Sequence, residues 1–285
     1  MRCAHCQYLV QDKSHFKRKQ FDDLSLVETI IKKTGIRSCT ISAEGEPLLH
    51  PRFADIVAIL RKHDVDIMGV TNGVLLDQHI NLIHKDFKKI TISLDAHNAD
   101  LFKQVRNADE HTFTKIINNI TAYQELRRKK GTGARVCIKF DLHKNIIGYM
   151  EAMIEKATAL GADEIAFGTI NDEMTGAFTP LYRHDRHVVE HINSMRAKYP
   201  QKNIAWPRLI DCKRIGFCSM LFNGIVINSD YALSPCCHIP GDIDRYGTFD
   251  SPKEALEQFR DRFMKARRVD ELDHHCQHCH RRIVM

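Results

Sequence analysis

No stretch of this 285-residue chain approaches the ~18 consecutive apolar residues that a membrane-spanning helix needs, and no charged-then-apolar leader opens it. These absences lead us to expect a cytoplasmic protein with no membrane partner. The chain also lacks internal repeats and low-complexity tracts, and with 43% hydrophobic and 27% charged residues it reads as globular. A basic stripe is missing as well. Forty-two Lys and Arg against 36 Asp and Glu give a formal charge of +6, spread in short groups such as Arg127-Arg128-Lys129-Lys130. That group ends an amphipathic helix, where cations suit the negative end of the helix dipole, so a solvated helix end accounts for it and nucleic acid is not the expected partner.

What the chain does have is ten cysteines. With no secretory leader they point away from disulfides and toward metal ligation or redox chemistry. Cys3-Ala4-His5-Cys6 fits the last two positions of a CxxxCxxC loop, with His5 at the aromatic position. Such a loop supplies three thiolates to a 4Fe-4S cluster and leaves one iron open to another ligand. The first cysteine of the loop would fall four residues before Cys3, outside the chain.

Hydrophobic periodicity supplies the framework. Leu24, Val27, Ile30 and Ile31 follow helical spacing up to Gly35, and Arg37 to Ser42 reads as a strand. The alternation continues with helices over 53–62, 76–84, 113–127 and 147–160, and strands over 65–71, 89–94, 134–141 and 164–168. Strands alternating with helices imply βα units and a parallel sheet, here with five strands after the cysteine loop. A βα active-site loop follows a strand at the C-terminal mouth of a barrel. The strand before Cys3 would lie upstream of Met1, so a strand and a ligand are missing together, which favours a truncated start over degeneration. Residues 171–205 read as a linker with one helix around His187 to Lys198, and from about Trp206 the texture changes to short segments with a hairpin from Val226 to Leu233.

Polar residues recur where successive strands end. Gly45-Glu46-Pro47 follows the first strand, Thr71-Asn72-Gly73 the second and Ser93-Leu94-Asp95 the third. Each alone is ordinary turn chemistry. Their recurrence at the ends where barrel enzymes place ligands points to a site. Lys139 and Asp141 alternate on one strand and face the same side, and with Asn171 and Asp172 they are candidates for a substrate pocket.

The ordered set Cys-Ala-His-Cys, Gly-Glu-Pro-Leu-Leu-His-Pro, Thr-Asn-Gly and Ile-Ser-Leu-Asp resembles the radical S-adenosylmethionine superfamily. The resemblance implies a 4Fe-4S cluster that binds S-adenosylmethionine, donates an electron and yields a 5′-deoxyadenosyl radical. It implies Cys3 and Cys6 as cluster ligands, His5 against the adenine, Gly45 and Glu46 at the methionyl amino group, Ser93 at the cofactor and Arg106 at its carboxylate. Glu44 stands where the family has a first glycine.

The C-terminal cysteines Cys218, Cys236, Cys276 and Cys279 resemble the twitch form of the SPASM extension, which binds an auxiliary 4Fe-4S cluster, although Tyr231 replaces the usual glycine before the second cysteine. A structural zinc site is the competing reading of four thiolates, with His274, His275, His278 and His280 nearby. Cys212 and Cys237 are spare ligand candidates, and Cys39 and Cys137 lie in expected strands as small buried residues.

The expected fold is therefore α/β: a partial (β/α)6 TIM-like barrel without its first strand over 1–170, a linker over 171–205, and a small cluster-binding α+β extension over 206–285. The expected activity is hydrogen abstraction from an organic substrate, small molecule or peptide. The auxiliary cluster would accept electrons, and a flavodoxin or ferredoxin would serve as donor. The aminocyclitol alcohol dehydrogenases resemble the chain in size and cysteine layout. The competing class is a non-catalytic relative that keeps the fold with a structural zinc or iron-sulfur site.

Overall fold

The computed structural model describes Cys3 and residues 23–42, 45–170, 178–214, 216–218, 221, 226–228, 231–237, 239, 242–277 and 279. Helix α1 (Leu24–Thr34) begins at Asp23, whose carboxylate accepts the Ser25 N–H, and ends at Gly35, whose φ of 62° lets its own N–H reach the Ile31 carbonyl. A side-chain N-cap of this kind contributes about 1 kcal/mol. Strand β1 (Ser38–Ile41), α2 (Phe53–Lys62), β2 (Asp66–Thr71), α3 (Leu76–Asp86) and β3 (Phe87–Ser93) follow. The chain continues through α4 (Ala99–Arg106), α5 (Glu110–Lys130), β4 (Arg135–Leu142), α6 (Met150–Ala159), β5 (Glu164–Thr169), α7 (Arg186–Lys198) and β6 (Ile204–Ala205).

The strands form one sheet in sequence order, β1-β2-β3-β4-β5-β6, every neighbouring pair parallel. This is the partial α/β barrel expected from the periodicity. Two elements go beyond that expectation. Helix α4 follows Asn98, whose side chain accepts the Leu101 N–H as a cap. Strand β6 makes the sheet six-stranded instead of five, and at two residues it is too short to show alternation. The segment expected to link two domains packs on the sheet, because Leu181, Val188, Ile192 and Met195 share the core of the barrel.

The two faces of the sheet differ. Ile67, Ile90, Ile138 and Phe167 lie in one core with Val57, Leu76, Ile116 and Ile154 of the helices. Burying each such side chain contributes about 1.5–3 kcal/mol. The opposite face carries half-buried polar residues that pair across or along strands. Lys89 meets Glu164 at 2.6 Å and Lys139 meets Asp141 at 2.6 Å. The period of two along a strand separates these sets, and helices cover the apolar one.

A second, smaller core lies in the C-terminal part. Strand β7 (Val226–Ile227) pairs antiparallel with β8 (Leu233–Ser234), and α8 (Ile243–Tyr246), α9 (Ala255–Lys265) and α10 (His274–Gln277) follow. Leu233, Tyr246, Leu256, Phe259 and Phe263 pack there with the thiols of Cys218, Cys236 and Cys276. Tyr231 takes φ 67°, the left-handed conformation that glycine adopts most easily, so the turn keeps a glycine-like backbone without the glycine. Its hydroxyl accepts the Asp23 N–H at 3.0 Å, and Lys33 meets Asp250 at 2.9 Å, which fastens this part to α1. Among the described residues no helix is long and apolar enough to cross a membrane.

Candidate functional site

At the C-terminal end of β1, Glu46 is fixed by the strand beside it. Its Oε1 accepts the Thr71 hydroxyl at 2.6 Å and the Leu48 N–H at 3.2 Å, and its Oε2 accepts the Asn72 N–H at 2.8 Å. Thr71 and Asn72, which the sequence placed at a strand end suited to ligands, therefore position Glu46. Among the described residues nothing lies within 4 Å of a Cβ placed on Gly45, so a ligand can approach its backbone closely.

The end of β3 gathers several charged groups. Arg106, the last residue of α4, is buried, and its Nε lies 3.0 Å from Asp95 Oδ2. One guanidinium nitrogen donates to Cys3 Sγ at 3.1 Å, and another donates to the Ser93 carbonyl. Burial works against the charge of Arg106, but the negative charges of Asp95, Cys3 and Asp141 outweigh it and hold its pKa above the usual value. Asp95 is fully buried with φ 59°, and its Oδ1 accepts the Asp141 N–H at 2.7 Å. Sequence reasoning placed Asp95 at a strand end and missed it as the partner of Arg106. Its left-handed backbone is set by contacts with β4 that no local pattern displays.

Three of the expected residues are thus brought together at the end of β3, and a fourth stands two strands away in the sheet. Cys3, Ser93 and Arg106 are in direct contact, and Glu46 stands at the end of β1. His5 and Cys6 lie outside the described residues, as do Glu44, Asn171 and Asp172. Lys139 and Asp141 form an ion pair on the half-buried face of the sheet, as their alternation on one strand suggested. The thiol character of Cys3 and the hydrogen-bond donor aimed at it suit a cluster ligand.

Cys218, Cys236, Cys276 and Cys279 are all buried in the C-terminal part, whereas Cys237 is exposed and Cys212 half-buried. Burial, then the negative charges of Cys236, Cys279, Asp273 and Cys218, push the Cys276 thiol up. The four thiols therefore occupy one electrostatic neighbourhood, where a bound cation would offset the repulsion between their thiolates and so favour deprotonation. Among the described residues no three His, Cys, Asp or Glu side chains are drawn into metal-holding geometry. The donor set fits a thiolate-bound cluster or zinc in kind and in burial. Cys137 is buried, and burial pushes its thiol up to about 11; Cys39 is half-buried on β1 and its thiol is raised for the same reason.

Among curated relatives, a GTP 3′,8-cyclase of Microcystis aeruginosa is 29% identical over 169 residues, covering 54% of this chain and 48% of its own. An S-adenosyl-L-methionine-dependent tRNA 4-demethylwyosine synthase of Methanocaldococcus jannaschii is 26% identical over 166 residues, covering 58% of this chain and 42% of its own. The chain thus spans about half the length of the curated relatives it matches. Among solved structures, Streptococcus suis SuiB bound to precursor peptide SuiA superposes with a TM-score of 0.62 at 16% identity, over 90% of this chain and 60% of SuiB. The enzyme anSMEcpe with bound AdoMet and Kp18Cys peptide gives 0.59 at 18% identity, over 90% of this chain and 76% of its own. These likenesses show a shared fold. The sequence model of the radical SAM superfamily matches residues 1–168, more than half of the chain, and with this match and the strand-end site together the chain belongs to the radical SAM superfamily, a family of enzymes.

Proposed function

We propose that the chain is a radical S-adenosylmethionine oxidoreductase that abstracts hydrogen from an organic substrate. The observation that carries the reading is the contact of Cys3 Sγ with the buried Arg106 at the end of β3, inside the region that matches the family. When bound, the cluster supplies one electron to the sulfonium of S-adenosylmethionine, giving methionine and a 5′-deoxyadenosyl radical that takes a substrate hydrogen.

The chain's own residues prepare the place where this happens. Cys3, with Cys6, would hold the cluster, and His5 would lie against the adenine. Glu46, already fixed by Thr71 and Asn72, would meet the methionyl ammonium beside the open backbone of Gly45. Ser93, at the end of β3, would border the cofactor. Lys139 and Asp141, on the same half-buried face, form a polar wall that orients substrate. The half-buried setting limits water around a radical, which protects it from side reactions.

Cys218, Cys236, Cys276 and Cys279 would hold an auxiliary 4Fe-4S cluster in the C-terminal unit, where all four thiols are buried. Four thiolate ligands leave such a cluster no open iron, which suits electron transfer. The substrate is a small molecule or a peptide. The peptides bound to SuiB and anSMEcpe, folds that superpose on 90% of this chain, support the peptide. A flavodoxin or ferredoxin would supply the electron. The domain division at about residues 170 and 205 belongs to the same proposal, with α7 and β6 kept on the barrel side.

The test is anaerobic reconstitution of the natural full-length protein with iron and sulfide. We expect about eight irons per chain and release of 5′-deoxyadenosine once S-adenosylmethionine and dithionite are added. Zinc in the C-terminal unit with no cleavage of S-adenosylmethionine would overturn the reading in favour of a non-catalytic relative.

A further inference from the structure

We infer that Arg106 is a positioning residue for the cluster itself: its guanidinium, clamped by Asp95, donates to the ligand sulfur of Cys3 and raises the reduction potential of the cluster held there. This rests on the reading of Cys3 as a cluster ligand. It differs from the role that the family resemblance gives Arg106, which is to fork onto the carboxylate of S-adenosylmethionine.

Three contacts assign the role. The Nε edge is taken by Asp95, 3.0 Å away and fully buried. One terminal nitrogen donates to the Ser93 carbonyl, and the other donates to Cys3 Sγ at 3.1 Å. A guanidinium binds a carboxylate best through two parallel donors, and here Asp95 lies against its Nε side as an ion pair while Ser93 accepts from one terminal nitrogen. The other terminal nitrogen directs an N–H at sulfur. Asp95 is in turn held by the Asp141 N–H, so the fork is anchored from β4 and cannot swing without breaking a buried ion pair. Position in the chain explains how it arises. Arg106 closes α4, and Asn107 turns the backbone away at φ 48°, which leaves the arginine pointing back over the end of β3.

The physical consequence has a definite sign. Reduction adds a negative charge to the cluster, and a nearby cation with an N–H aimed at a ligand sulfur stabilises that state more than the oxidised one. Removing the donor therefore lowers the potential. It also loosens the seat of Cys3, since outer partners orient metal ligands.

The experiment is a reductive titration of the reconstituted full-length protein, followed by electron paramagnetic resonance and without S-adenosylmethionine. Arg106→Gln strands a buried Asp95 charge, so the paired variant Asp95→Asn with Arg106→Met is measured beside it, because it removes both members of the pair. We expect the ratio of reduced to oxidised N-terminal cluster at a fixed applied potential to fall about tenfold in the paired variant, with a smaller fall for Arg106→Lys. The signal of the C-terminal cluster should not move. Equal ratios in wild type and paired variant, both with full iron, overturn the inference and leave the enzyme reading intact. A wild-type protein that builds no cluster at Cys3 overturns both.

Discussion

Glu46 Oε1 accepts the Thr71 hydroxyl at 2.6 Å while Oε2 accepts the Asn72 N–H at 2.8 Å, so one carboxylate joins the ends of two neighbouring strands. Replacing it by alanine deprives a half-buried backbone N–H and a buried threonine of their acceptor. We expect Glu46→Ala to cost about 1–3 kcal/mol in urea unfolding, and Glu46→Gln less, because an amide keeps one acceptor. Amide hydrogen exchange at Asn72 should accelerate in the alanine variant and change little in the glutamine one. Unchanged exchange in both would show that the carboxylate does not hold the two strand ends together.

Acid sensitivity follows from Glu28, which joins α1 to α2. Its Oε1 lies 2.7 Å from Lys62 Nζ and 3.3 Å from His63 Nε2. The hydrogen bond from Lys62, then that from His63, lower its pKa from 4.5 to about 2. A depressed carboxyl contributes stability that is fully present above its unfolded pKa and is lost as pH falls through the folded one. The window is therefore pH 4.5 down to about 2. Glu28→Gln should lower the urea midpoint by a constant amount above about pH 5 and converge on wild type near the bottom of that window. A gap that widens on acidification would contradict the sign.

Both predictions draw on features of different visibility in the sequence. The βα alternation was legible because amphipathic helices and their stops leave local marks, such as Gly35 after α1 and Gly131 after α5. Helix α4 had such a mark in Asn98, but its eight residues were too few to show a period beside the long α5. Glu46 and Ser93 were readable as polar groups at strand ends. The pairing of Arg106 with Asp95 and Cys3 was not, since Cys3 lies 103 residues away and meets Arg106 only through the sheet. Tyr231 shows the reverse case. It stands where the resemblance has glycine, and its backbone takes the glycine-like conformation regardless.

Gly168 is tied to the polar face by size. It pairs in register with Asp141, and a Cβ placed on it would collide with Asp141 Oδ1 and come within 3.3 Å of Lys139 Cε. Gly168→Ala should therefore cost about 1–3 kcal/mol as an overpacked site and turn Asp141 away from Lys139. The same substitution on an Asp141→Ala background should cost much less, because the blocking carboxylate is gone. The difference between the two costs, from urea unfolding, measures the clash. Equal costs on both backgrounds would mean that backbone preference, not contact with Asp141, excludes a side chain there.

The C-terminal thiols offer a test that separates metals and ligands together. Cys236 and Cys237 are adjacent, yet the first is buried among Leu233, Phe259 and Cys276 while the second is exposed. If Cys236 is a ligand, Cys236→Ser should remove about four irons per chain from the reconstituted protein, and Cys237→Ser none. The N-terminal cluster should keep its spectrum in both, because Cys3 lies against Arg106 at the end of β3, away from these thiols. Losing the metal should also loosen the second core, since ligand binding free energy is folding free energy in so small a unit. Limited proteolysis should then cut the C-terminal part of Cys236→Ser first and leave the barrel intact. Iron lost from Cys237→Ser instead would exchange the two assignments. One zinc per chain in the wild type would make this a structural site, with electrons entering the barrel by another route.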